Sequence, residues 1–396
     1  MRLLATQPTL ALLLCFLSSP TALAAPPIKG IAFDHGDWTL ACDNTRTCRA
    51  AGYQPDDGEH APVSVLLTRR AGPDQRVKAE LMVGQLGEIK LPLRLSLQIN
   101  DARLGPLRYN AADGTATLLP AQVSAMLAAL MGNSRIALIG DDGRRWTLSG
   151  RGASAVLLKM DEFQGRIGTP GALVRKGTKA ESTVLPAVSM PIMKLTNIVA
   201  TRPADKALAS SAALREALIA TISVDDCEAL QPTWNDTSNE GPQEMKVQRL
   251  SADKLLVSHL CWRGAYNRSD GYWVINDRPP YRPRLVTNSG SGDNVRSIEE
   301  WHRGRGLADC IYSTTWSWIG TRFVQEDRSA VGRNNHCHEC PLETLQTRMR
   351  QAQRNGVATA RKDAPVMYAS ARVGKDHAPK PSCSKDAACV RCLPAA

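Results

Sequence analysis

Glu88-Ile89-Lys90-Leu91-Pro92-Leu93-Arg94-Leu95-Ser96-Leu97-Gln98-Ile99 alternates polar and apolar residues without a break. Successive side chains of a strand point to opposite faces, so this stretch reads as a strand with one buried and one wet face. Pro92 falls on the wet side. It argues for an edge strand or a bulge, because proline cannot donate to a ladder. Further along, Ile136–Ile139 and Arg145–Leu148 flank Gly140-Asp141-Asp142-Gly143, a hairpin turn, and Asp113-Gly114 marks another. Upstream, Trp38–Ala41 is a strand candidate. Two helices interrupt these strands. Pro120 opens one that runs to about Met131, with Val123, Met126, Leu127 and Leu130 on one stripe. The second spans Gly152 to Gln164, with Val156, Leu157, Met160 and Phe163 at helical spacing and Gly165 as its stop.

Periodicity then lapses. From Gly177 to about Asp205, Pro186, Pro191 and Pro203 interrupt the chain, and its apolar residues suit an extended linker lying on its neighbours. A helix is expected from Lys206 to about Ile222, closed by Asp225-Asp226-Cys227. Short strands follow: Met245–Leu250 and Leu255–Cys261 around a four-residue loop, then Tyr272–Ile275, Arg284–Thr287, Ser313–Trp318 and Arg322–Gln325. Such spacing suggests an antiparallel sheet, sandwich or partial barrel. Trp262, Trp273, Trp301, Trp316 and Trp318, five of the eight tryptophans, lie here. Trp316 and Trp318 share one side of a strand, to pack a core or to floor a groove for sugar or peptide. After about Thr347 the chain is rich in Arg, Lys and Ala. A short helix near Leu342–Arg354 is expected, then disorder.

The fold class is therefore mainly β with a few helices, in two disulfide-stabilised antiparallel sheet or sandwich domains. The expected organisation is a signal peptide over 1–24, an N-terminal domain over 25–176 and a linker over 177–206. A C-terminal helix-plus-sheet domain over 207–340 and a basic, cysteine-containing tail over 341–396 complete it. The signal peptide rests on Arg2, the apolar run Leu10–Leu17 and the small-residue site Ala22-Leu23-Ala24. No stretch reaches the roughly 20 apolar residues of a transmembrane helix. The expected location is the periplasm, where paired thiols become disulfides.

At 43% hydrophobic and 22% charged, the composition excludes wholesale disorder and a membrane bundle. More than half of the net charge of +11 lies after Pro341, where ten Lys and Arg meet four Asp and Glu. That tail is a solvated basic segment or a peripheral contact with an anionic surface. Nucleic acid is not expected, since no aromatic residues interleave with the basic ones there.

Of the eleven cysteines, Cys15 leaves with the signal. Cys42 and Cys48 bracket a turn-rich loop and suit a local staple. Cys227 and Cys261 would tie a helix to a sheet, a closure worth roughly 3–4 kcal/mol in the chain-entropy account. Cys310 pairs with Cys337, or alternatively with Cys340. Cys337/Cys340 and Cys389/Cys392 each form a Cys-x-x-Cys, which zinc can use. Their long separation and the oxidising compartment favour disulfides or unpaired thiols over metal. His35, His60, His259, His302 and His377 are isolated from one another. Adjacent carboxylates such as Asp161-Glu162 and Glu299-Glu300 point apart on a strand, so turn, cap or solvated-face roles suit them. No Gly-x-Ser-x-Gly, His-Glu-x-x-His or phosphate loop occurs, and no catalytic residue or cofactor is expected.

Several stretches carry a resemblance. Phe33-Asp34-His35-Gly36-Asp37-Trp38-Thr39-Leu40-Ala41-Cys42 with Cys48, and Met160-Asp161-Glu162-Phe163-Gln164-Gly165-Arg166-Ile167-Gly168-Thr169, are two of them. Cys261-Trp262-Arg263-Gly264-Ala265-Tyr266-Asn267, and Gly304–Cys310 with Trp316-Ser317-Trp318, are the others. Together they resemble an exported proteobacterial family, domain-of-unknown-function family 1176. The resemblance implies six recurrent cysteines, matched by Cys42, Cys48, Cys227, Cys261, Cys310 and Cys337, and no agreed activity. The N-terminal half is more weakly similar to invasion-associated locus B proteins, which are exported β-sandwiches, although their middle cysteine pair is missing here.

The expected function is non-enzymatic binding of an unknown envelope protein or ligand. Gln164, Arg166, Trp316 and Trp318 are the candidate contact residues. Two alternatives are kept. One is an envelope hydrolase using scattered carboxylates such as Asp161 and Glu300. The other is metal binding by His336–Cys340 with Cys337, Cys340, Cys389 and Cys392.

Overall fold

The computed structural model describes residues 28–57, 60–84, 94–110, 115–235, 243–303, 311–331, 343–348 and 350–351. In the first half these form β1 (Ile31–His35), β2 (Trp38–Cys42), β3 (Cys48–Tyr53), β4 (Val63–Arg69), β5 (Lys78–Val83), β6 (Leu95–Ile99), β7 (Ala102–Pro106), β8 (Arg108–Asn110) and β9 (Thr115–Thr117). Helix α1 (Pro120–Leu130), β10 (Ile136–Gly140), β11 (Arg145–Leu148) and helix α2 (Ala153–Phe163) follow. One sheet runs β1-β2-β3-β4-β5-β9-β8 and a second runs β11-β10-β6-β7. The alternating stretch enters the second sheet as β6, while residues 88–93 and Asp113-Gly114 lie outside the described residues.

The inward faces of both sheets and the stripes of both helices close one core. Trp38, Leu67, Leu81, Leu97, Met126, Leu138, Trp146 and Met160 are all buried in it. Cys42 and Cys48 face each other at the end of the β2–β3 ladder and are joined by a disulfide. The helix stripe of α2 meets the β1–β2 turn at Gly152. Its φ is +95°, and an added Cβ would lie 1.9 Å from the His35 carbonyl oxygen. Only glycine meets both conditions without cost.

The second half comprises β12 (Ile192–Met193), α3 (Pro203–Lys206), α4 (Ala212–Ile219), β13 (Lys246–Arg249), β14 (Lys254–Arg263), β15 (Arg268–Asn276) and β16 (Arg284–Gly290). It continues with β17 (Gly292–Asp293), β18 (Ser297–Arg303), β19 (Ile311–Trp318), β20 (Phe323–Val331), β21 (Glu343–Arg348) and β22 (Arg350–Gln351). A four-stranded sheet runs β13-β14-β15-β16 and a five-stranded sheet runs β17-β18-β19-β20-β21. Strand β14 is buried on both faces. Leu255, Val257 and Cys261 join Leu214 and Leu218 of α4 in one core. Leu256 joins Ile298, Trp318 and Phe323 of the five-stranded sheet in another. The result is three layers: helix, sheet, sheet. The Cys227–Cys261 disulfide ties the segment after α4 to β14. No helix among the described residues is long and apolar enough to cross a membrane.

Two expectations are corrected. The single helix from Lys206 to Ile222 is broken at Ser211, whose extended backbone (φ −72°, ψ 114°) starts α4 afresh, its hydroxyl accepting from the Leu214 amide. Serine competes for such caps better than it sits inside a helix. In place of the helix expected near Leu342–Arg354, the described residues there form β21, paired with β20, and β22, paired with β12. The open edge of β20 supplies backbone partners from Val331 to Asp327, and tertiary pairing overrides local preference. β18 is a strand that the pattern Ser297-Ile298-Glu299-Glu300-Trp301-His302-Arg303 did not announce.

Segment 177–206 lies against both halves. Leu185 N–H donates to the Gln164 carbonyl, and Val188 N–H to that of Thr45. At its end Asp205 takes a two-pronged bond from Arg249, which is 2% exposed and also reaches Asp277. The hydrogen bonds from Arg249 hold the Asp205 carboxyl below its ordinary range.

Gly152→Ala is expected to cost about 2 kcal/mol or more, since it adds a left-handed backbone penalty to a backbone clash; urea unfolding measures this. A lowered carboxyl contributes stability above its unfolded value near pH 4, and that contribution fades as pH falls through the lowered folded value. Asp205→Asn should therefore flatten the acid side of the stability profile below about pH 4. An unchanged slope in unfolding curves taken across that range would contradict the role given to Asp205.

Candidate binding face

The candidate contacts Gln164 and Arg166 are not at the surface. Both are fully buried where α2 ends. Gln164 Nε2 donates to the carbonyls of Arg46 and Arg69, and its Oε1 accepts from Arg166 Nε at 2.8 Å. Arg166 also donates to the carbonyls of Arg70 and Gly72 and pairs with Glu181. Arg69, 4% exposed, donates to the Gly171 carbonyl at 2.7 Å and reaches Asp161 at 3.4 Å. Burial and the neighbouring Arg166 push the Arg69 guanidinium down to about 10. Asp161 accepts the amides of Leu173 and Val174, and burial, outweighing these bonds and the nearby arginines, raises its carboxyl above the usual range. This signature segment is a cross-tie of the first half. An open groove of about 350 Å³ beside it is lined by Arg69, Asp74, Arg76 and Glu181, so cations and carboxylates already share its wall.

Trp318 is likewise fully buried, inside the core between the two sheets of the second half. Trp316 is half-buried on the same side, and its Nε1 donates to Glu300 Oε1 at 2.7 Å. Their shared side is inward, so they pack the core and hold the neighbouring strand rather than floor a groove. The carboxylates of the hydrolase reading are thus both engaged: Asp161 in the buried cross-tie, Glu300 under Trp316.

What Trp316 holds is β18. Its Glu300 and His302 take one side of the strand, with Glu299, Trp301 and Arg303 on the other. His302 Nε2 is hydrogen-bonded to the Ser269 hydroxyl at 2.6 Å, and its ring stacks on Trp262 at 5.6 Å between centroids. Burial lowers the His302 imidazole from its ordinary value, against the upward pull of the Glu300 carboxylate and the Arg268 backbone. The neutral ring then suits a hydroxyl partner. Ser269 is fully buried, so this pair anchors the strand and presents no reachable nucleophile. Asn267 clasps the strand end from both sides of one residue: its Nδ2 donates to the Arg303 carbonyl and its Oδ1 accepts the Arg303 amide.

On the other side of the strand Glu299 and Trp301 are exposed and Arg303 is half-buried, while the neighbouring Ile311, Ser317 and Ser329 are buried. Trp301 is 39% exposed and carries the Arg303 guanidinium over its ring at 5.2 Å. Next to it in the ladder stand Ser313 and Ser329, whose hydroxyls bond each other at 2.7 Å. Glu299 and Thr315 form the next row, and Asp327 pairs with Thr315. The sequence put Trp301 among the tryptophans without singling it out. Its signal was its place beside Glu299 in a strand whose alternation charges obscure.

Cys310, Cys337, Cys340, Cys389 and Cys392 lie outside the described residues. Among the described residues no group of three or more His, Cys, Asp or Glu is gathered to hold a metal.

Arg166→Met should lower unfolding stability by about 3 kcal/mol or more, because it strands buried acceptors and a partly buried carboxylate. Trp301→Ala should change it by less than about 1 kcal/mol, as expected of a surface side chain. Thermal or urea unfolding of the two variants separates a tie from a contact residue.

Residues 32–343 match the family described as "Protein of unknown function (DUF1176)". The uncharacterized protein YpfG of Escherichia coli (strain K12) is 28% identical over 343 residues, covering 79% of this chain and 90% of YpfG. No solved structure matches.

Proposed function

The chain belongs to the DUF1176 family, and we propose that it is an exported, non-catalytic binding protein of the periplasm, meeting an envelope ligand or partner at the outer face of β18. One observation carries this reading. A strand is pinned on its inner side by Trp316, Ser269 and Asn267, while an exposed tryptophan stands on its other side with a half-buried arginine laid over its ring. A firmly held, exposed tryptophan is among the residue types that dominate binding energies, since little freedom is lost when it is covered. Two disulfides support an oxidising compartment. The buried Ser269 and the engaged carboxylates favour binding over hydrolysis. The excess of Lys and Arg after Pro341 supports a further contact with an anionic surface.

Photo-crosslinking residues placed at Glu299 and, as a control, at exposed Arg103 of β7 test this in cells. The protein should be recovered by osmotic shock, with defined adducts from position 299 and none from 103. Equal adducts at both positions, or none at 299, would remove the face from consideration.

A further inference from the structure

Strand β14 carries His259 on the side that α4 covers, between Val257 and Cys261, and the residue is only 3% exposed. Its ring is held at both nitrogens. Nδ1 lies 2.6 Å from the Leu260 carbonyl oxygen. Nε2 lies 3.1 Å from the Gln243 carbonyl oxygen and 3.4 Å from Arg215 Nη1 of α4. These two neighbours make opposite demands on one atom. A carbonyl oxygen needs a proton on Nε2, while a guanidinium N–H needs the bare lone pair. Arg215 is half-buried, and it also donates to the Leu230 carbonyl from Nη1 and to the Gln243 carbonyl from Nη2.

We propose that His259 and Arg215 form a proton-operated latch that ties α4 to β14 and to the chain around Gln243. With one proton, the ring donates from Nδ1 to Leu260, and Nε2 accepts from Arg215. Arg215 then serves the Gln243 carbonyl as well. With a second proton, Nε2 donates to Gln243 in place of Arg215. Two cations in contact in an enclosed site repel each other, so the half-buried guanidinium turns toward solvent. Helix α4 keeps its apolar hold through Leu214 and Leu218 and loses its polar one.

The surroundings decide which state holds near neutral pH. Burial first, and then Arg215 of α4, lower the His259 imidazole from its ordinary value. The Leu260 and Gln243 carbonyls and the Asp270 carboxylate of β15 pull the other way without prevailing. Asp270 is itself bonded by Arg268 Nε at 3.1 Å. A lowered histidine contributes stability that is complete above its unfolded value of about 6.5, and that is lost as pH falls through the folded value. The latch is therefore closed at neutral pH and opens in acid.

Two readouts on the full chain between about pH 8 and about pH 5 test the latch: ¹H–¹⁵N NMR of the histidine rings, and hydrogen exchange of the α4 amides. At about pH 8 the His259 ring should carry its proton on Nδ1 alone, and it should gain the second with a midpoint below about 6.5. As it does, the protection of α4, corrected for intrinsic exchange, should fall about threefold or more, as loss of a hydrogen bond implies. Arg215→Gln, which removes the charge, should raise the proton affinity of the ring about tenfold and leave α4 protection level across the range. Circular dichroism checks that this variant folds; if it does not, the tautomer and the α4 protection of the unaltered chain still decide. A neutral ring with its proton on Nε2, or a doubly protonated ring at about pH 8, would overturn the latch. So would a midpoint that Arg215→Gln does not move, or α4 protection that is the same above and below the midpoint.

Discussion

The second half of this protein depends on one requirement: β14 must be covered on both faces. Its run Leu255-Leu256-Val257-Ser258-His259-Leu260-Cys261 is buried throughout. A strand with two apolar faces cannot end a structure, so α4 closes one side and the five-stranded sheet closes the other. His259 is accommodated by bonding its ring nitrogens to the Leu260 and Gln243 backbone, which makes it a satisfied sheet residue. The outer sheet is half-covered by construction. Its inner side supplies Ile298, Trp318 and Phe323 to the core, while its other side carries exposed Glu299 and Trp301 beside buried Ile311, Ser317 and Ser329.

The polar ties follow a common logic. Arg166 and Arg249 are enclosed and surrounded by acceptors, each joining segments distant in the chain. Buried ion pairs of this kind add little net energy against a well-packed apolar alternative, yet removing one partner is costly. They therefore act as register pins for non-repeating segments, here the end of α2 and the short α3. Arg303 is held through its backbone by Asn267 and through its guanidinium by the Trp301 ring, with a buried Nε that has no hydrogen-bond partner among the described residues.

The residues that resemble a family fall mostly on ties. Gln164 and Arg166 cross-brace the first half, Trp262 stacks under His302, and Asn267 clasps Arg303. Of these, Trp262 and Asn267 hold β18 in place. Arg166 is fully buried and hydrogen-bonded, which its place in the sequence does not reveal.

Period two, turn chemistry and helical stripes were enough to specify mainly antiparallel β structure with α1 and α2, since these depend on neighbours within a few residues. The nearness of Cys42 to Cys48 across a short hairpin was legible for the same reason. Period two also places Trp316 and Trp318 on one side of their strand. Which side meets water depends on the layer packed there, and no local pattern encodes it. The break at Ser211, the pairing of β21 with β20 and the contact of Ser269 with His302, 33 residues apart, were decided by tertiary structure. Each is a choice among locally acceptable states, made by burial and by backbone partners that only the folded chain brings near. The sequence by itself determined the alternation and the turns; the tertiary structure decided which tryptophans were enclosed and that Trp301 was left at the surface, because burial depends on the layer packed against each face.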